Sequence, residues 1–98
     1  MFCATTHYRT TPEHLDEAVD VFKRKAVTFA SHQPGFHSLC LLTKQDGTMM
    51  TVTLWETEEQ SAAWPQSPEH RKIVRLLRPL LIGRPTRNGY EVSIHALA

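Results

Sequence analysis

The sequence predicts an α+β fold in which strands and helices follow one another in the order βαββαβ. Three observations predict it. Period-two alternation recurs in four separate stretches, a long amphipathic stripe divides the first two, and an Asp-Gly turn joins the second to the third.

Phe2 to Thr10 reads as the first strand, with Phe2, Ala4, Thr6 and Tyr8 on one face and Cys3, Thr5, His7 and Arg9 on the other. Thr11 as N-cap and Pro12 at the first helical position then open a helix. Leu15, Val19, Phe22, Ala26 and Phe29 recur at three and four residues, with Ala18 and Ala30 beside them, so the stripe is a core face. Lys23, Arg24 and Lys25 fall mostly off it. Gln33-Pro34-Gly35 breaks the helix, and Phe36 to Thr43 is the second strand. Gln45-Asp46-Gly47 predicts a tight primed turn, which pairs that strand antiparallel with Thr48–Trp55.

At Glu56 the period changes. Thr57, with Gln60 three residues later, spells a capping box for a short helix holding Ala62, Ala63 and Trp64, which Pro65 ends. A second start signal follows in Ser67, Pro68 and Glu69. The helix from Pro68 carries His70, Ile73, Val74, Leu77 and Leu81 on one face and Arg71, Arg75 and Arg78 on another. Gly83-Arg84-Pro85 closes it, and Tyr90 to Ala96 is expected to be the last alternating strand. The order is the ferredoxin-like plan, a four-stranded antiparallel sheet with its helices on one face.

Ninety-eight residues make a single domain, 1–98, and a net charge of +1 gives no bias toward nucleic acid or an acidic membrane surface. Cys3 and Cys40 form no CxxC pair and read as buried thiols in a reducing compartment. No leader-like or membrane-length apolar run is present, so the expectation is a cytoplasmic protein. No histidine shows metal-ligand spacing, and no metal is expected.

Alternation puts Phe36, Ser38, Cys40 and Leu42 on one face of the hairpin and His37, Leu39 and Leu41 on the other, while Val52 and Leu54 oppose Thr51, Thr53 and Trp55. Both faces thus carry large apolar side chains. Leu39, Leu41, Val52 and Leu54 are expected on the face away from the helices, where a second copy would cover them through a two-fold axis.

Pro34-Gly35-Phe36, Trp55-Glu56-Thr57-Glu58-Glu59 and Ser67-Pro68-Glu69-His70-Arg71, in this order and spacing, resemble the antibiotic biosynthesis monooxygenase domain of the dimeric α+β barrel superfamily. The likeness covers nearly the whole chain and implies a homodimer. That family includes enzymes that oxidise phenolic polyketides to quinones with O₂ and no cofactor, and enzymes that open haem. In the quinone-forming type, a Trp at the strand–helix joint sits in the substrate cavity with an Asn four residues before it. Trp55 matches that Trp, and Thr51 stands at the Asn position. The haem-opening type uses a first-strand Asn, a Trp nine residues after the joint Trp, and a His on the last helix. Trp64 matches its Trp, but Thr6 and Val74 stand at the other two positions, and an aliphatic cannot ligate iron. Haem opening is therefore disfavoured.

Resemblance and helix phase together nominate His70, Trp55 and Thr51 as catalytic, and Trp64, Phe36, Thr6, Leu42 and Val74 as substrate-binding. Cofactor-independent oxygenation needs a base or hydrogen bond that favours a phenol's anion, and an apolar wall that excludes water. His70 is the nearby group whose unperturbed pKa lies near neutrality. The expected function is oxidation of a small aromatic or polyketide-like phenol or quinol by O₂ without a cofactor. Two alternatives stay open: a non-catalytic module that binds a hydrophobic molecule, and an isomerase or lyase that uses His70 for proton transfer.

Overall fold

A computed structural model describes all residues from Met1 to Ala98. Strands β1 (Phe2–Arg9), β2 (Phe36–Thr43), β3 (Thr48–Trp55) and β4 (Thr86–Glu91) form one antiparallel sheet in the order β2-β3-β1-β4. Helices α1 (Leu15–Val21) and α2 (Val27–Ser31) lie between β1 and β2, and α3 (Glu58–Ala63) and α4 (Pro68–Leu77) between β3 and β4. This is the expected βαββαβ chain.

The core forms between one sheet face and the helices. Tyr8, Met49 and Trp55 from the sheet meet Ala18, Phe22, Ala26, Ala30, Trp64, Ile73 and Leu77 in one cluster. Ala18, Phe22, Ala26 and Ala30 are spaced by four, and on a pure α-helix a four-residue step drifts about 40° around the axis. Between α1 and α2 the chain makes a wider π turn, Phe22–Ala26. This offsets the drift and keeps all four side chains on the sheet.

Two of the three predicted caps form, whereas Thr11 makes no capping hydrogen bond and precedes a short 3-10 turn, Pro12–His14. Thr57 accepts from the Gln60 N–H at 3.2 Å and Ser67 from the His70 N–H at 3.1 Å, so two helices start within eleven residues on either side of Pro65. The hairpin turn differs from the expected primed form, which needs positive φ at both central residues. Only Gly47 has it (φ +98°), and its N–H donates to Lys44 O at 3.1 Å, which makes a type I turn ending on a left-handed glycine. A Cβ on Gly47 would also fall 1.9 Å from Thr10 O, so the position is closed to other residues twice over.

Two expectations are corrected. A bulge between Phe36 and Ser38 shifts the β2 register by one, so Leu39 lies opposite Thr53 and Leu41 opposite Thr51, on the helix-covered face. The open face instead carries Ser38, Cys40 and Leu42 on β2, Met50, Val52 and Leu54 on β3, and Cys3 and Thr5 on β1. The last strand is also earlier than Tyr90–Ala96. It starts at Thr86 and pairs Glu91 with Phe2, the first residue of β1, so the residues after Val92 have run past their partner. Gly89 lies over the Phe2 ring, where a Cβ would come within 2.6 Å.

Candidate functional site

A small cavity of about 20 Å³ lies between the helix-side face of β1 and β3 and the helices, walled by Thr6, Tyr8, Thr51, Trp64, His70 and Arg87 with Phe22, Ala26 and Leu39 around them. It has room for about one water molecule. Two residues of the π turn, Phe22 and Ala26, are among its walls.

Each wall residue is positioned by something local. Thr6 and Tyr8 point inward from β1 by strand alternation, and Thr51 does so from the paired position opposite Thr6. Trp64 closes the short helix before Pro65, and its carbonyl accepts from the Ser67 hydroxyl at 2.8 Å. The same Ser67 oxygen caps α4, which sets His70 in the first turn with its ring edge-on to Trp64, centroids 5.1 Å apart at 84°. Burial pushes the His70 pKa down to about 4, with the positive charge of Arg87 acting in the same direction. The imidazole is therefore neutral at pH 7. Burial also raises the Tyr8 phenol, against which the Thr51 and Thr6 hydroxyls and the Arg87 charge work.

Of the residues the sequence nominated, Thr6, Thr51, Trp64 and His70 meet at this cavity. Trp55 does not line it. It is fully buried behind Trp64, rings 6.3 Å apart, and its indole N–H is taken up by Thr53 Oγ1 at 2.8 Å. Phe36 packs on Trp55 (5.5 Å, 76°) and does not line the cavity either. Val74 opens instead onto a neighbouring groove of about 600 Å³, shared with Tyr8, Leu77, Arg78, Leu81 and Arg84. Leu42 lies opposite Met50 on the other face of the sheet, because of the β2 bulge. No three His, Cys, Asp or Glu side chains gather closely enough to hold a metal ion. No helix is long and apolar enough to cross a membrane.

Tyr8 and Arg87 were missed. Tyr8 shared its strand face with Thr6, so alternation already pointed to it. Arg87 carried no signal, since its strand was expected to begin only at Tyr90. It faces Thr6 across the β1–β4 pair, and its Nη2 donates to both Ser61 O and Ser61 Oγ at 2.8 Å.

Solved structures with this fold are numerous, and the three named below are distant in sequence. A protein of unknown function from Nitrosomonas europaea superposes with a TM-score of 0.84 at 14% identity, covering 99% of this chain and 93% of its own. A Mycobacterium tuberculosis protein superposes at 0.80 and 11% identity, with 98% of each chain covered. SnoaB, a cofactor-independent oxygenase from Streptomyces nogalater, superposes at 0.78 and 19% identity, covering 96% of this chain and 94% of its own. At these identities the likeness establishes the fold. No curated protein sequence matches the chain. Residues 1–76, from β1 through most of α4, match the family described as "Antibiotic biosynthesis monooxygenase". That span contains every wall of the cavity except Arg87, and by it the chain belongs to the antibiotic biosynthesis monooxygenase family.

Proposed function

We propose that the protein is a cofactor-independent monooxygenase that oxidises a small phenol or quinol-like aromatic with O₂, the reactive hydroxyl bound at the cavity between Thr6, Tyr8, Thr51, Trp64, His70 and Arg87. The observation that carries this reading is one small cavity that brings a neutral imidazole and a guanidinium together beside an indole wall. A phenol that loses its proton there becomes an electron-rich anion. The anion transfers an electron to O₂, recombines with the resulting superoxide at a ring carbon, and loses water to give a quinone. One phenol and one O₂ thus give one quinone and one water.

His70 differs from the base that the sequence suggested. With its pKa pushed down to about 4 it is unprotonated at pH 7 but a weak proton acceptor. An oxyanion beside it would favour the imidazolium and raise that pKa, so substrate ionisation and His70 protonation reinforce each other. Thr51 and Thr6 supply hydroxyls, each able to donate one hydrogen bond, where the resemblance called for Asn. The non-catalytic reading is favoured by a different observation, the groove of about 600 Å³ beyond Tyr8, large enough for a small hydrophobic molecule.

The functional unit is a homodimer in which a second copy covers the open sheet face. Leu42, Met50, Val52 and Leu54 lie there, with Leu42 48% exposed, and Tyr90 joins them from β4 at 54%. Met50, Val52 and Leu54 are already partly covered, so finishing the burial of those four apolar side chains contributes roughly 2–4 kcal/mol per subunit.

Oxygen uptake with a panel of hydroxy-aromatics separates the readings. The expected result is one O₂ consumed per substrate with a quinone absorbance, reduced at least tenfold in His70→Gln. Absence of uptake across the panel, with binding retained, would favour the binding module.

A further inference from the structure

We propose that Arg87 is both the gate of the cavity and the group that pairs with the substrate's oxyanion, an aromatic oxyanion entering between β4 and α3 by drawing the guanidinium away from Ser61. The proposal rests on the cavity being the substrate site.

The first support is position. Arg87 lines the inner cavity of about 20 Å³, and it also lines a separate outer groove of about 240 Å³ shared with Phe2, Glu58, Ser61, Asn88 and Gly89. The residue is therefore the partition between the two. An inner space of that size is far below the ~300–1,000 Å³ of ordinary small-molecule sites, so any ring that enters must move a wall. Trp64 and Tyr8 are buried at 5% and 8% exposure and held in the core cluster, whereas all six residues of β4 are exposed on a sheet edge. Arg87 is the wall that comes from this exposed edge, tied down by its two bonds to Ser61.

The second support is the state of its charge. Both bonds to Ser61 come from Nη2, and Nε and Nη1 donate to no protein group. The chain's two salt bridges are Arg24–Asp20 and His37–Glu56, so no carboxylate lies within 4.0 Å of the Arg87 guanidinium. Glu58 lines the outer groove beyond that distance. A planar fork of five donors with only neutral acceptors is incomplete, and an oxyanion gives shorter and stronger bonds than a carbonyl and a hydroxyl do. Ser61, 1% exposed, holds the arm in the closed position until that exchange occurs. Tyr8 and His70 are the other titratable groups facing the same space, and the Arg87 charge disfavours a proton on each.

The experiment uses 4-nitrophenol, whose neutral and ionised forms absorb differently, and nitrobenzene, which cannot ionise. On the unmodified protein, bound nitrophenol should titrate about one pH unit below free nitrophenol, a tenfold preference for the phenolate. Arg87→Gln should abolish that shift while nitrobenzene binding is kept, and Arg87→Lys should retain part of it. Ser61→Ala should speed phenolate association several-fold without changing the shift, because it weakens the latch and leaves the charge. An unchanged shift in Arg87→Gln, or slower association in Ser61→Ala, overturns the proposal. A phenolate preference without oxygen uptake across the hydroxy-aromatic panel refutes the oxygenase reading and leaves the gate standing; failure of both probes to bind refutes both.

Discussion

Trp64 and His70 meet edge to face at 5.1 Å, and this contact helps cover a partly buried imidazole in the first turn of α4. The folded-state pKa of about 4 lies below the ordinary 6.5, so between these values the unfolded chain binds more protons than the folded one. Stability from this group is therefore full above about pH 6.5 and is lost as pH falls toward 4. The shift corresponds to at most about 3.5 kcal/mol, which partial exposure reduces to roughly 1–2 kcal/mol. Urea unfolding of the unmodified protein and of His70→Phe across that window should show the variant losing less stability on acidification. Parallel curves would refute the assignment.

Thr53 holds Trp55 in place. Its hydroxyl accepts from the indole N–H at 2.8 Å and donates to Ala4 O at 3.3 Å, all within the buried sheet face. Thr53→Val keeps the shape and strands the indole N–H, at a cost of about 1–3 kcal/mol. Thr53→Ser keeps the hydroxyl and should cost less. Equal midpoints for the two variants in urea would show that the bond contributes nothing.

Val52 lies near the middle of the open sheet face, flanked by Cys40 and Thr5. In a homodimer closed across that face, Val52→Asp buries an unpaired carboxylate and should give unfolded or aggregated protein before a clean monomer. Leu41→Asp acts differently, since Leu41 faces the helices and its loss is a core defect in any assembly. Sedimentation of the unmodified chain at micromolar concentration as a stable folded monomer would refute the dimer.

Local signals in the chain set most of the elements. The Phe36–Thr43 and Thr48–Trp55 pair has the predicted bounds, and Thr57, Pro65 and Ser67 place both helix starts, because caps and turn residues act over three or four positions. Thr6, Thr51 and Trp64 were nominated by the family resemblance, and His70 by its helix phase beside them. What lay beyond the reach of these signals is equally specific. The β2 bulge turned Leu39 and Leu41 inward and Leu42 outward, and alternation cannot register an inserted residue. Trp55 became a core residue once Thr53 took its N–H, leaving Trp64 at the cavity. Arg87 came to the site through the pairing of Thr86–Glu91 with β1, a contact between residues some eighty positions apart. An edge strand is chosen by the backbone groups its neighbour leaves open, and TRNGYE advertises nothing of that in its own side chains.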